Sequence, residues 1–338
     1  MQIVTAPISA IRPLGHAVFT RYTAAGLAVL CATLAFPAPA RAEELVGPRM
    51  IYEIVKGSFQ RKMSGGEMPP GCISLSDPDH GWNVQVRAPG TYCLATDLKH
   101  TAPPPMLRLP HQPIPTGAML QVVAPNVSID LLQHTLRGKT TNARGIWANR
   151  YISGSSDFTR ISNGTISTNK QPAVFMGDGW NDRNTRFHAH YNSTPLAVVD
   201  TLDDYRNTGY VLEDLTLQAS EVVVILQGRN NTIRRCKIIG GNGTVNLYGP
   251  GLVFEDNDII LDATEVGANG EAPVALYLED ADGSIVRHNR FTLRGRKADA
   301  EAIVLKNSAN VSVQGNTVNG GRQTWKLLDQ ASSVNAKP

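Results

Sequence analysis

From about residue 126 onward, short apolar and polar alternations return along the chain in a fixed order. They occur at Val127–Leu131, Thr159–Ile166, Val211–Leu217, Thr232–Ile238, Val253–Ile259, Ile285–Phe291 and Val311–Val318. Each is a β-rich stretch, a polar corner and a second β-rich stretch, with the period of two that belongs to strands. Placing Asn163, Leu215, Cys236, Asn257, Asn289 and Asn316 at one equivalent corner gives spacings of 52, 21, 21, 32 and 27. The 21-residue interval reads as a bare coil, and the longer ones as coils with inserted loops. Before each phrase comes a third apolar stretch, at Val222–Gln227, Thr244–Tyr248, Val274–Glu279 and Ala302–Lys306. Three strands per coil and a repeat of this length predict a solenoid of stacked parallel strands.

The charges test that register independently. Two places before the corner stand Glu213, Arg234, Glu255 and Arg287; one place before it, Asp214, Arg235, Asp256 and His288; one place after it, Lys237, Asp258 and Arg290. Equivalent residues of a parallel solenoid stack about 4.8 Å apart, so alternating signs attract where like signs would repel. The corner itself is expected to hold a ladder of side-chain amides from Asn257, Asn289 and Asn316, with Asn163 in the matching place two coils earlier. Gly209, Gly251, Gly283 and Asn310 suit turns that require positive φ.

In this register residues 120–321, entered through Pro89–Leu98 and Val127–Gly138, resemble the pectate-lyase-like right-handed β-helix superfamily. The resemblance implies an all-β fold: a right-handed parallel β-helix of about seven coils with three strands per coil, an N-terminal cap and a short C-terminal cap. Solenoid ends need covering. Leu45, Met50, Ile51, Ile54 and Val55 have helical spacing for the first cap, and Trp325, Leu327 and Leu328 lie where the second would be. The superfamily holds lyases, hydrolases, epimerases and proteins without catalysis, so it points to polysaccharide and leaves the reaction open.

Residues 1–42 read as an export signal: Arg12 and Arg21 precede the apolar run Ala24–Phe36, which ends at Ala40-Arg41-Ala42, with cleavage expected after Ala42. The run is too short to cross a bilayer, and no membrane span is expected elsewhere. The formal charge of +3 resides in this segment, because Arg12, Arg21 and Arg41 are its only ionised residues; the remainder is neutral. A neutral chain makes nucleic acid an unsuitable partner. The expected organisation is residues 43–119 as a capping and lead-in region, 120–321 as the helix with an insertion at 177–208, and 322–338 as a C-terminal cap or tail. A secreted or periplasmic monomer is the expectation, and in that oxidising setting Cys72 and Cys93 are expected to pair, leaving Cys236 as a buried thiol.

Alternation in the third stretch gives the side chains that leave the core. With Leu226, Leu247, Leu278 and Leu305 inside, Gln227, Tyr248, Glu279 and Lys306 point out, and two places earlier so do Ile225, Asn246, Tyr277 and Val304. Tyr248, Glu279 and Lys306 are candidate catalytic residues; Gln227, Asn246 and Tyr277 are candidate substrate contacts on what is expected to be an exposed face. The plainer reading is a cross-coil ion pair among ordinary strand residues. The insertion adds further groups: Asp178, Trp180, Asp182, Arg183, Arg186, His188, His190, Asp200, Asp203 and Asp204. Among these, His188 and His190 are candidate catalytic residues, Trp180 and Arg183 candidate substrate contacts.

Proton removal beside a uronic carboxylate needs a base, an acid and a cation, which Tyr, Glu, His and Lys supply. Hydrolysis needs two carboxyls suitably spaced, and Glu279 has no evident second. Asp77-Pro-Asp-His80 only faintly matches the Asp-Pro-His signature of β-helix alginate epimerases, since the order differs and it precedes the coils. The paired-Asp and Gly-His-Gly signatures of β-helix polygalacturonases are absent, as are the clustered aspartates of calcium-binding pectate lyases. No cofactor is evident, although His188 and His190 with a carboxylate leave a divalent cation open. The expectation is a lyase or epimerase acting on an acidic polysaccharide; the alternative is a non-catalytic polysaccharide-binding or structural β-helix.

Overall fold

The computed structural model describes residues 68–75, 84–100, 118–139, 141, 143–149, 155–177, 185–187, 195–197, 205–241, 243–263, 272–295, 300–321 and 324–337. They fall in one compact unit, Val46–Pro338. Apart from one small hairpin, the strands among them pair in parallel, coil upon coil, as the repeat requires. Face A stacks Ile73–Leu75, Gly90–Leu94 and Val127–Asp130 beneath the first halves of Arg160–Ser167 and Val211–Gln218. It continues through Thr232–Arg234, Val253–Glu255, Ile285–Arg287, Val311–Gln314 and Val334–Lys337. Face B begins with Leu98–His100 and Thr135–Gly138, takes the second halves of the two long strands, and runs on through Lys237–Gly240, Asp258–Ala263, Arg290–Gly295 and Thr317–Asn319. Face C holds Val84–Val86, Ala118–Val122, Arg144–Asn149, Val174–Gly177, Val224–Gln227, Val245–Tyr248, Val274–Glu279, Glu301–Lys306 and Trp325–Leu327.

Pairing therefore begins at Ile73, upstream of the first readable repeat, and Trp325–Leu327 and Val334–Lys337 extend two faces at the other end. The residues proposed for the N-terminal cap lie outside the described residues, and so does the Asp77–His80 tetrapeptide. Cys72 and Cys93 stand at disulfide distance, their Cα atoms 5.8 Å apart, fastening the first strand to its neighbour in the next coil.

Inside the coils like stacks on like. Ile161, Leu212, Ile233, Phe254, Val286 and Val313 form one column under face A, and Leu226, Leu247, Leu278 and Leu305 another under face C. All are buried in one continuous core. Each such side chain contributes roughly 1.5–3 kcal/mol on leaving water. Outside, the predicted charge ladders form. Arg234 meets Glu213 at 2.7 Å, Arg287 meets Glu255 at 2.6 Å, Arg235 meets Asp214 at 2.8 Å and Arg290 meets Asp258 at 2.6 Å.

The corner between faces A and B is built as expected, with one shift. Asn289 Oδ1 accepts from the backbone N–H and the Nδ2 of Asn257, at 2.9 and 3.0 Å, and Asn316 does the same for Asn289, both at 2.9 Å. Asn163, however, pairs with Asp214 and not with Leu215, whose partner is Gly164. The reason is steric. The first corner residue is left-handed, with φ of 63° at Asn163, 54° at Asp214, 52° at Arg235 and 55° at His288, and Asn tolerates that region better than most residues. The next position faces inward, where a Cβ on Gly164 would lie 2.4 Å from Leu131 Cβ. Gly209, Gly251, Gly283 and Asn310 all have positive φ, as anticipated.

Candidate functional site

Face C sits outside the leucine column, so its second register presents Gln227, Tyr248, Glu279 and Lys306 in adjacent coils, beside Ile225, Asn246, Tyr277 and Val304. The alternation holds at every one of these positions. The expectation that this face is open to solvent does not: Gln227, Asn246, Tyr248 and Tyr277 are each at most 4 % exposed and Glu279 8 %. A second apolar cluster lies here, on the far side of the sheet from the core, made of Trp147, Phe175, Ile225, Tyr248, Tyr277 and Val304 with Tyr205. Alternation reports which side of a strand a residue takes, and it carries no information on whether that side is covered.

Within the cluster the polar groups are joined. Glu279 takes Lys306 Nζ on Oε1 at 2.8 Å and the Tyr277 hydroxyl on Oε2 at 2.8 Å. Tyr248 lies against Tyr277, with ring centroids 6.0 Å apart and planes tilted by 58°. The neighbouring carboxylate, Asp280, stands in a left-handed turn with φ of 55°. It accepts from the Tyr205 hydroxyl at 2.7 Å and from Asn307 Nδ2 at 2.5 Å. Burial, with the Asp280 carboxylate second, pushes the Tyr205 phenol far above its ordinary range, so it keeps its proton. Asn246 Oδ1 and Trp147 Nε1, both buried, have no hydrogen-bond partner among the described residues. A buried amide oxygen normally has one, which leaves Asn246 able to receive a hydroxyl.

Five of the anticipated residues, Tyr248, Glu279, Lys306, Asn246 and Tyr277, thus share one patch, with Gln227 in register beside Tyr248. His188, His190, Trp180 and Arg183 lie outside the described residues. Two strands of the insertion are described, Thr185–Phe187 and Pro195–Ala197, paired antiparallel. Sequence reasoning missed Tyr205 and gave Asp280 no role. An aromatic residue where a long insertion rejoins a coil was the available signal for Tyr205. Among the described residues no three His, Cys, Asp or Glu side chains group closely enough to hold a metal ion.

The chain matches the model of a family described as the right handed beta helix region, over residues 145–336. Neither the curated proteins nor the solved structures contain a match.

Proposed function

The chain belongs to the right-handed β-helix family, and from that premise we propose that it is an exported, monomeric protein acting on an acidic polysaccharide at face C, as a lyase or epimerase. The observation that supports this reading is the joined set Tyr277–Glu279–Lys306 and Tyr205–Asp280 beside the unpartnered oxygen of Asn246. It brings carboxylates, a protonated phenol and an ammonium within neighbouring coils. In elimination a base takes the proton beside the uronate carboxylate, the electron pair forms a C=C bond, the bond to the departing oxygen breaks, and an acid protonates that oxygen. Glu279 suits the base, Tyr205 the acid, and Lys306 the cation that neutralises the substrate carboxylate. An epimerase shares the first step and returns a proton to the opposite face. Export is supported by the leader-like residues 1–42 and by the spacing of Cys72 and Cys93.

A second reading, a β-helix that binds polysaccharide without turning it over, is favoured by the two donors on Glu279. Between them they occupy both carboxylate oxygens, Tyr277 on Oε2 and Lys306 on Oε1, as a structural anchor would. The test is a panel of uronic and neutral polysaccharides. The unsaturated product is followed by ultraviolet absorbance, and solvent deuterium entering the sugar is followed by nuclear magnetic resonance. Product or exchange that disappears in Lys306→Ala and Tyr205→Phe, with melting nearly unchanged, establishes the enzyme. Binding with neither signal establishes the second reading.

A further inference from the structure

Wherever charged residues of adjacent coils share a register position among the described residues, they carry opposite signs, with one exception. Glu213, Arg234, Glu255 and Arg287 alternate, as do Lys237, Asp258 and Arg290, then Asp262 with Arg294 and Glu279 with Lys306. The exception is on face B, where Lys99 lies directly against Arg137. Two cations so placed repel each other. Both are exposed, and neither makes an ion pair with a described residue. With Asp97 and Thr135 they line a cleft of about 120 Å³.

Asp97 does not quench them. Its Oδ1 is taken by the backbone N–H of Thr135 at 2.9 Å and by Nδ1 of the buried His134 at 3.3 Å, which ties the carboxylate to the corner of the next coil. The cleft therefore holds two free cations, one anchored anion and a hydroxyl, a net charge of +1. A bare anion satisfies the cations and leaves Asp97 opposed. A group carrying one carboxylate with hydroxyls beside it satisfies all three charges: the carboxylate meets Lys99 and Arg137, and a hydroxyl donates to Asp97. We propose that the cleft formed by Asp97, Lys99, Thr135 and Arg137 binds a uronic acid residue of a saccharide. The like-charged pair departs from a rule the other described charge pairs obey, and such departures concentrate at functional positions. This site lies on face B and stands independently of any reaction on face C.

The probe is tetragalacturonate, with cellotetraose and inorganic sulfate as comparators, added to the purified chain at low salt. Acetylation of Lys99, located by mass spectrometry, reads the cleft directly. Tetragalacturonate is expected to slow it at least tenfold in the wild type and in Lys306→Gln alike, and cellotetraose to leave it unchanged. By calorimetry, Arg137→Gln should weaken the interaction assigned to this cleft about tenfold. Lys99→Glu should abolish that interaction while raising the melting temperature, because it restores alternation; a purely structural lysine would not separate the two readouts. Unchanged acetylation of Lys99 in the wild type overturns the proposal. So does equal protection by sulfate and tetragalacturonate, which would make the cleft a general anion site. Loss of turnover in face C variants with Lys99 protection intact separates failure of the reaction from failure of this site.

Discussion

Replacing Asn289 by alanine removes four hydrogen bonds from a side chain that is 1 % exposed. The consequences differ from atom to atom. Asn257 Nδ2 retains the Ile233 carbonyl at 3.0 Å, and Asn316 Oδ1 retains the Asn289 backbone N–H at 2.9 Å. The backbone N–H of Asn257 loses its acceptor inside the corner, at about 1–3 kcal/mol for a buried orphan, and the other lost bonds add roughly 1 kcal/mol between closely shared partners. The expected loss is about 2–4 kcal/mol. Asn316→Ala, at a half-buried rung, should cost only about 1 kcal/mol because water can enter the half-exposed place that Asn316 vacates and accept from the Asn289 N–H. Asn289→Asp turns a donor into an acceptor facing the Phe254 carbonyl at 2.8 Å and Asn316 Oδ1 at 2.9 Å. It should be worse than alanine at neutral pH. The buried carboxyl would then have a folded-state pKa above the unfolded value of about 3.9, so its deficit should shrink as pH falls. Urea denaturation with matched m-values measures all three. If Asn289→Ala proves no more costly than Asn316→Ala, the ladder is decoration and the reasoning fails.

Three further outcomes are expected. The hydrogen bonds from Arg290 and Arg235 hold the Asp258 and Asp214 carboxyls below their ordinary range. Because these folded-state values are depressed, the stability they give is complete above about pH 4 and is lost as pH falls through the lower folded values. Melts from pH 5 to 2 should show that loss, and should show less of it in Asp258→Asn. Glu213, 1 % exposed and shared by Arg160, Arg234 and Arg235, should cost about 3–5 kcal/mol when changed to alanine, since three guanidinium groups then face one another; a stability change within error would refute that role. Burial pushes the Cys236 thiol up to about 12, so iodoacetamide should modify it only after unfolding, and mass spectrometry would expose rapid native alkylation.

The later coils were legible because their loops are short. Between Leu215 and Asn257 the repeat returns at the bare interval, which aligns charges, amides and leucines together. The earlier coils were not. Gly90 pairs with Val127 across a connection long enough to erase the period, so the stacking of Lys99 on Arg137 could not be read from spacing. Asn163 was misplaced by one position because amide chemistry suits both the left-handed corner residue and the ladder, and only the inward glycine beside it distinguishes them. The side each residue of face C takes was readable from alternation; the burial of Tyr248, Tyr277 and Glu279 was not, since covering a sheet depends on chain that is remote in sequence.

The alternating ladders work as a parity check on assembly. Leucine stacked on leucine, or asparagine on asparagine, is the same contact whichever coil supplies the partner, so the core alone does not distinguish neighbouring coils. Skipping one coil would set Glu213 against Glu255 and Arg234 against Arg287, turning attraction into repulsion at every rung at once. Only a slip of two coils restores the signs, and it strands two coils of apolar surface in water. Single-coil errors during folding are thereby detected by charge and double errors by hydrophobicity.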